Sequence, residues 1–137
     1  MSMKIIIYII RFLLASFFMY IAIERLINPT LMEANTLGVS IKFIEFYNLL
    51  QTSGFMSFVI LIQTLCSVLL VFKKTYLVGA IMLTSLLLCF IMIHLFISKS
   101  TPFLIFDVIL FVLNTILIGC NYKLIKPLFL KTKQGWI

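Results

Sequence analysis

Four side chains interrupt runs that are otherwise apolar: Arg11, Gln63, His94 and Asp107. Glu24 and Arg25 stand at the end of the first such run. A charged or strongly polar group inside a bilayer costs about 2.5–3.5 kcal/mol on insertion scales, so each one needs a partner or a purpose. Together they offer a carboxylate, an imidazole, a guanidinium and an amide, which suits binding of a polar headgroup. Taken alone, His94 lies near the end of its run and reads first as a hydrogen-bonded histidine, second as a proton carrier. No nucleophile, base and orienting group can be assembled without assuming contacts, so catalysis by the chain alone is not expected. A metal centre is not expected either. There is a single histidine, and Cys66, Cys89 and Cys120 lie within apolar runs with no CxxC spacing. Free cysteine in such a setting behaves as a small hydrophobe.

The composition says what surrounds these groups. Of 137 residues, 64% are hydrophobic and 11% charged, against roughly 45–50% apolar in an ordinary globular domain. A small water-soluble fold keeps a large share of its surface exposed and could not hide so much apolar area. Lipid must cover it. The net charge of +7 does not indicate nucleic acid, because no basic face interleaved with aromatics is present. The lysines fall singly between apolar runs or in the tail, as the positive-inside rule requires of a membrane protein.

The elements that carry the polar groups are four expected membrane spans, at 5–26, 55–72, 76–97 and 103–121, in one domain covering 1–137. A spanning helix needs about 20 mostly apolar residues. The first run is too long for a signal peptide, holds Arg11, and is followed by no small-residue cleavage site. Asn28-Pro29 ends it. Between the first two spans, Ser40 to Leu50 places Phe43, Phe46, Tyr47 and Leu50 at helical spacing, with Lys42, Glu45 and Asn48 elsewhere around the turn. That pattern predicts an amphipathic helix on the membrane surface or packed against the bundle. Ser100-Thr101-Pro102 opens the last span. The tail carries Lys123, Lys126, Lys131 and Lys133 and finishes near Trp136, an expected interfacial anchor.

With four spans, both termini and the middle loop share one side, which holds Lys4, Lys73, Lys74 and the tail lysines. Arg25, Lys42 and Lys99 lie on the other, diluted by Glu24, Glu33 and Glu45. Both ends are therefore expected in the cytoplasm. On this topology Gln63 lies about 12 Å in from the non-cytoplasmic side at 1.5 Å per residue. His94 and Asp107 lie one to two turns in from the same side, while Arg11 is near enough to the cytoplasmic surface to snorkel. Arg11, Ala15, Phe18, Ala22 and Arg25 form one stripe along the first helix. Its alanines permit close approach of a neighbour. Gln63 with Ser67, Thr84 with Ile91 and His94, and Asp107 with Asn114 each share a face. Two arrangements satisfy this pattern. One is a polar pocket open toward the outer side. The other is mutual pairing, Asp107 with Arg25 and Glu24 with His94, that glues the helices together.

The segment Arg11-Phe12-Leu13-Leu14-Ala15, continuing through Phe18 and Tyr20 to Ile23-Glu24-Arg25-Leu26-Ile27-Asn28-Pro29, resembles the opening of DoxX-family membrane proteins. That family opens with an arginine, an apolar helix and a small-residue/Gly-Ile-x-Lys-Leu-x-(Asp/Asn)-Pro ending; here Arg25 replaces the lysine and Ala22 the glycine. Gln63, then Leu69-Leu70 and Lys73-Lys74, resembles the family's second helix, and His94-Leu95-Phe96 its histidine-aromatic ending. Gln63 stands where a glutamate is usual, so no role needing that carboxylate carries over. Ser98 to Pro102 lacks the Cys-Gly-Cys-type motif of the redox-associated relatives, which removes thiol relay chemistry. The resemblance implies a small four-helix inner-membrane protein of bacterial type, linked to respiratory or sulfur-redox metabolism. Some relatives resemble the membrane subunit of a quinone oxidoreductase.

Three functions follow as alternatives. The first is a membrane component that binds a quinone, a small thiol compound or a redox protein at Glu24, Arg25, Gln63, His94 and Asp107. It would work as a partner, or as a subunit of a quinone-linked oxidoreductase. The second is a non-catalytic accessory or assembly subunit, its aromatic spans covered by other membrane subunits. The third is a small multidrug or proton-coupled transporter, which needs an ionisable group at the bilayer midplane. The first span carries no charge from Phe12 to Ile23, which ranks that class last.

Overall fold

A computed structural model describes residues 2–33 and 38–130. Every regular element among them is helical: α1 Met3–Ile27, α2 Ile41–Thr52, α3 Phe55–Val71, α4 Tyr76–Ile93, α5 Thr101–Gly119 and α6 Tyr122–Leu130. The first is free of glycine and proline throughout its 25 residues and stops where Asn28 precedes Pro29. Ser40 caps α2, its hydroxyl accepting from the Phe43 N–H. At the corner between α2 and α3 the chain needs a left-handed residue, and Gly54 supplies it at φ +79°. The two helices meet there at 85°. Beyond Ile93 the helix widens into a π-helical turn over His94–Ser98 and closes on Lys99 at φ 53°, a left-handed conformation that costs a non-glycine residue about 1 kcal/mol. Pro102 sits in the first turn of α5, where its missing N–H removes no helical bond.

Three stretches are long and apolar enough to cross a membrane: Met3–Ile27, Tyr76–Ser98 and Thr101–Gly119. The bent pair Ile41–Thr52 with Phe55–Val71 passes the same test when its two helices are taken together. In space, α1 packs on α3, α3 on α4, α4 on α5 and α5 back on α1. Leu14, Phe18, Cys66, Leu70, Leu83, Leu87, Leu110 and Leu117 fill the middle of that circuit. The approach of α4 to α3 is set by Gly79: a Cβ there would stand 2.9 Å from that of Leu69 and 3.1 Å from the Cys66 carbonyl oxygen. Facing outward are Phe12, Leu13, Phe58, Leu61, Leu88 and Ile109, a belt that needs hydrocarbon around it.

Arg11 departs from expectation. It does not snorkel but is buried at 3% exposure. Its Nε donates to the Leu70 carbonyl at 3.1 Å and its Nη2 to that of Val71 at 2.9 Å. The guanidinium lies 4.3 Å from the Tyr76 ring centroid and 5.2 Å from that of Tyr8. The last carbonyls of a helix have no intrahelical donor, and α3 ends on these two. A buried cation on its negative pole is favoured over one extended into headgroups. As expected, Ala15 and Ala22 are buried on the same stripe of α1. The chain after Asn121, read from sequence only as a basic tail, folds as α6 despite Pro127 inside it. Lys131, Lys133 and Trp136 lie outside the described residues.

A candidate polar pocket at the His94 end

At the end of the helices away from Arg11, α1, α3, the π-helical turn and α5 deliver polar groups to one cavity of about 310 Å³. Arg25, Gln63, His94 and Asp107 all line it, with Tyr47 from α2. Each arrives for a local reason. Arg25 continues the buried stripe of α1. Gln63 falls one turn before the buried Ser67 on α3. Asp107 shares the inward face of α5 with Leu110 and Asn114. His94 begins the π-helical turn, an insertion that re-aims side chains and recurs at functional sites.

His94 and Asp107 are joined through Nδ1 and Oδ2. An ionised carboxylate accepts only, so the proton of that bond then lies on Nδ1, and a neutral ring keeps Nε2 as an acceptor. The imidazole stacks on Phe103 at 5.6 Å between centroids and 19° between planes, and its centroid is 5.7 Å from that of Phe43. Ring contacts of this kind hold its orientation. Much of the remaining wall is aromatic, with Phe17 against Phe106 at 5.1 Å and against Phe18 at 5.4 Å.

Gln63 is the cavity-lining side chain left wholly unpaired. It is 1% exposed, and both its Oε1 and its Nε2 lack a hydrogen-bond partner. Leaving a buried amide unpaired costs about 1–3 kcal/mol, so this side chain is placed at a cost in stability. The Arg25 guanidinium borders the same space. Asn114 is half paired, its Oδ1 also lacking a partner. Its Nδ2 donates to the Ala80 carbonyl and to Thr84 Oγ, both at 2.9 Å, tying α5 to α4 below the pocket.

Two expectations are corrected. Glu24 is exposed and lines no part of the cavity, because it follows the inward-facing Ala22 by two residues and so points round the far side of α1. The pairs anticipated as glue, Asp107 with Arg25 and Glu24 with His94, give way to His94 with Asp107. Tyr47 and the phenylalanine wall were not singled out as site residues. Tyr47 did lie on the apolar stripe of the Ser40–Leu50 segment, the signal that could have found it.

The roof is α2, which contacts α3 and the π-helical turn. Its first residues use the carbonyls that the π-helical turn leaves free: the Ser40 hydroxyl donates to that of Ile97, and its backbone N–H to that of Ser98 at 3.1 Å. Asn48 exchanges two bonds with the Met32 backbone, at 2.9 and 3.1 Å. Phe43 and Ile44 are buried, while Ile41 and Leu49 are exposed. The apolar positions of α2 thus face two ways.

Comparison with protein-family profiles, with curated proteins and with solved structures gives no match.

Proposed function

We propose that the chain is a DoxX-like, four-span protein of a bacterial inner membrane that binds a quinone headgroup beneath α2 as the membrane component of a respiratory or redox system. The observation that carries this is Gln63, a fully buried amide with no partner, facing a cavity it shares with a cation and a His–Asp pair. A ring bearing two carbonyl oxygens uses these groups well. The Gln63 amide and the Arg25 guanidinium donate to one carbonyl. His94, backed by Asp107, accepts from the hydroxyl of the reduced form or donates to the oxidised one. Aromatic faces from Phe17, Phe103 and Phe106 stack on the ring. A cavity of about 310 Å³ falls at the small end of ligand sites, about 300–1,000 Å³, and suits a single substituted ring. The same side chains suit a protein that hands quinone to a partner rather than reacting with it.

Gln63→Leu separates binding from structure. With no bond to lose, the ligand-free protein is expected to gain about 1 kcal/mol of stability in detergent denaturation. Affinity for a benzoquinone, measured in nanodiscs, should fall by about tenfold, the worth of one good hydrogen bond. Unchanged affinity in Gln63→Leu, and again in Arg25→Ala with Asp107→Ala, would remove the proposal.

A further inference from the structure

A second, larger cavity of about 580 Å³ lies beside the first, between α2, α3 and α4. Arg25, Phe43, Tyr47, Phe90 and His94 line both, so the two adjoin across those five side chains. Away from that shared wall the second cavity changes character. Leu50, Val59, Ile62, Leu86, Ser85 and Cys89 line it, with hardly a polar atom among them. Ser85 and Cys89 belong to the exposed face of α4, so the cleft opens sideways toward whatever surrounds the helices. Resting on the quinone-pocket reading, we infer that the ligand is a single-tailed amphiphile whose hydrocarbon chain leaves the polar pocket past Phe43, Tyr47 and Phe90 and lies in this cleft.

The chemistry favours such an occupant over ordinary lipid. Any outward face of these helices meets hydrocarbon, but this cleft shares a wall of five side chains with a chamber that holds an unpaired buried amide. A bilayer lipid cannot use that amide without drawing its own headgroup below the membrane surface. A molecule with a polar ring at one end and an apolar chain at the other satisfies both spaces at once. Lipid tails are as apolar as leucine, so the cleft gains little from burying the chain as such. Its contribution is an exit. A head held in the polar chamber needs room for its tail, and the sideways opening of the cleft gives a path from the bilayer that never crosses water.

The test uses two probes on the whole protein in nanodiscs: a dimethoxy-methyl benzoquinone with no side chain, and the same ring carrying a decyl chain. Ser85→Trp fills the cleft from an exposed position, and Cys89→Phe does so independently, both clear of the polar pocket. The expected result is a loss of at least about tenfold in affinity for the decyl probe, with the tail-less ring bound as in the unaltered protein. If both probes respond alike to the plugs, whether by no loss or by equal loss, the chain does not lie in the cleft and the inference is overturned while the head pocket stands. If the unaltered protein binds neither probe, the pocket reading and this one fall together.

Discussion

Asp107 and His94 come from different helical segments, and each would be expensive without the other. A carboxylate in hydrocarbon needs a donor, and the imidazole Nδ1 is the group that α5 and the π-helical turn bring to it. Sequence put the two at one depth but could not choose partners. That choice depends on which way His94, at the head of the π-helical turn, faces, and it faces α5. The pair also explains why Arg25 is left beside the cavity rather than bound to Asp107. Removing one member strands the other, so His94→Phe and Asp107→Leu should each destabilise the protein by about 2 kcal/mol or more. The double variant should cost less than the sum, with a coupling of about 1–2 kcal/mol, the upper range for polar contacts between membrane helices. Denaturant unfolding of the four proteins in one detergent measures this. Strict additivity would mean that the contact carries no energy.

Helices are held by contacts that spacing alone half reveals. The stripe Arg11, Ala15, Phe18, Ala22 was legible because its residue types recur at helical intervals, and the structure buries all four. What Arg11 does was not legible, since its acceptors are backbone carbonyls about 60 residues away and backbone leaves no mark in a sequence. The helix over Ser40–Leu50 was legible from its apolar stripe, though not its seat on α3 and the π-helical turn, which rests on tertiary contact. α6 was not legible, since Pro127 inside it argues against a helix there. Arg11 joins α1 to the end of α3 through two charge-assisted bonds, and lies against the rings of Tyr76 on α4 and Tyr8 on its own helix. Arg11→Met is therefore expected to cost about 3 kcal/mol, from bonds to a charged group at about 1.5–3 kcal/mol each less the relief of desolvating the cation. Arg11→Lys should recover only part, because an ammonium cannot span two carbonyls in the geometry of a planar fork. Thermal unfolding reads both. Quinone affinity should stay unchanged, since the substitution lies at the far end from the pocket, and a large loss of affinity would show that the two ends are coupled.

Across the whole molecule, the charges sort by end. Met3, the close of α3, the start of α4 and the start of α6 meet at one end, where Arg11 reaches Leu70 and Val71 and the Tyr76 hydroxyl donates to Asn121 at 2.6 Å. Lys4, Lys73, Lys74, Lys123 and Lys126 therefore cluster there. Lys42 and Lys99 are at the other end with Glu24 and Glu45. Lysine and arginine counts in short loops set orientation, and acidic residues count for little, so the lysine-rich end should face the cytoplasm. The bend between α2 and α3 bears on the same question. If α2 lies along the surface and α3 crosses alone, its 17 residues give about 25 Å, a short but sufficient span in a bilayer that thins locally. The chain then crosses four times and the two described ends share a side. Single cysteines placed at Lys4, Lys73 and Lys126, in a protein with its own cysteines replaced by serine, should react with a membrane-impermeant maleimide only in inverted vesicles. Cysteines at Lys42 and Lys99 should react only in right-side-out ones. Labelling of Lys4 and Lys126 positions from opposite sides would mean an odd number of crossings. In that case α3 does not span, and Gln63 enters the cavity from a different depth than His94 does.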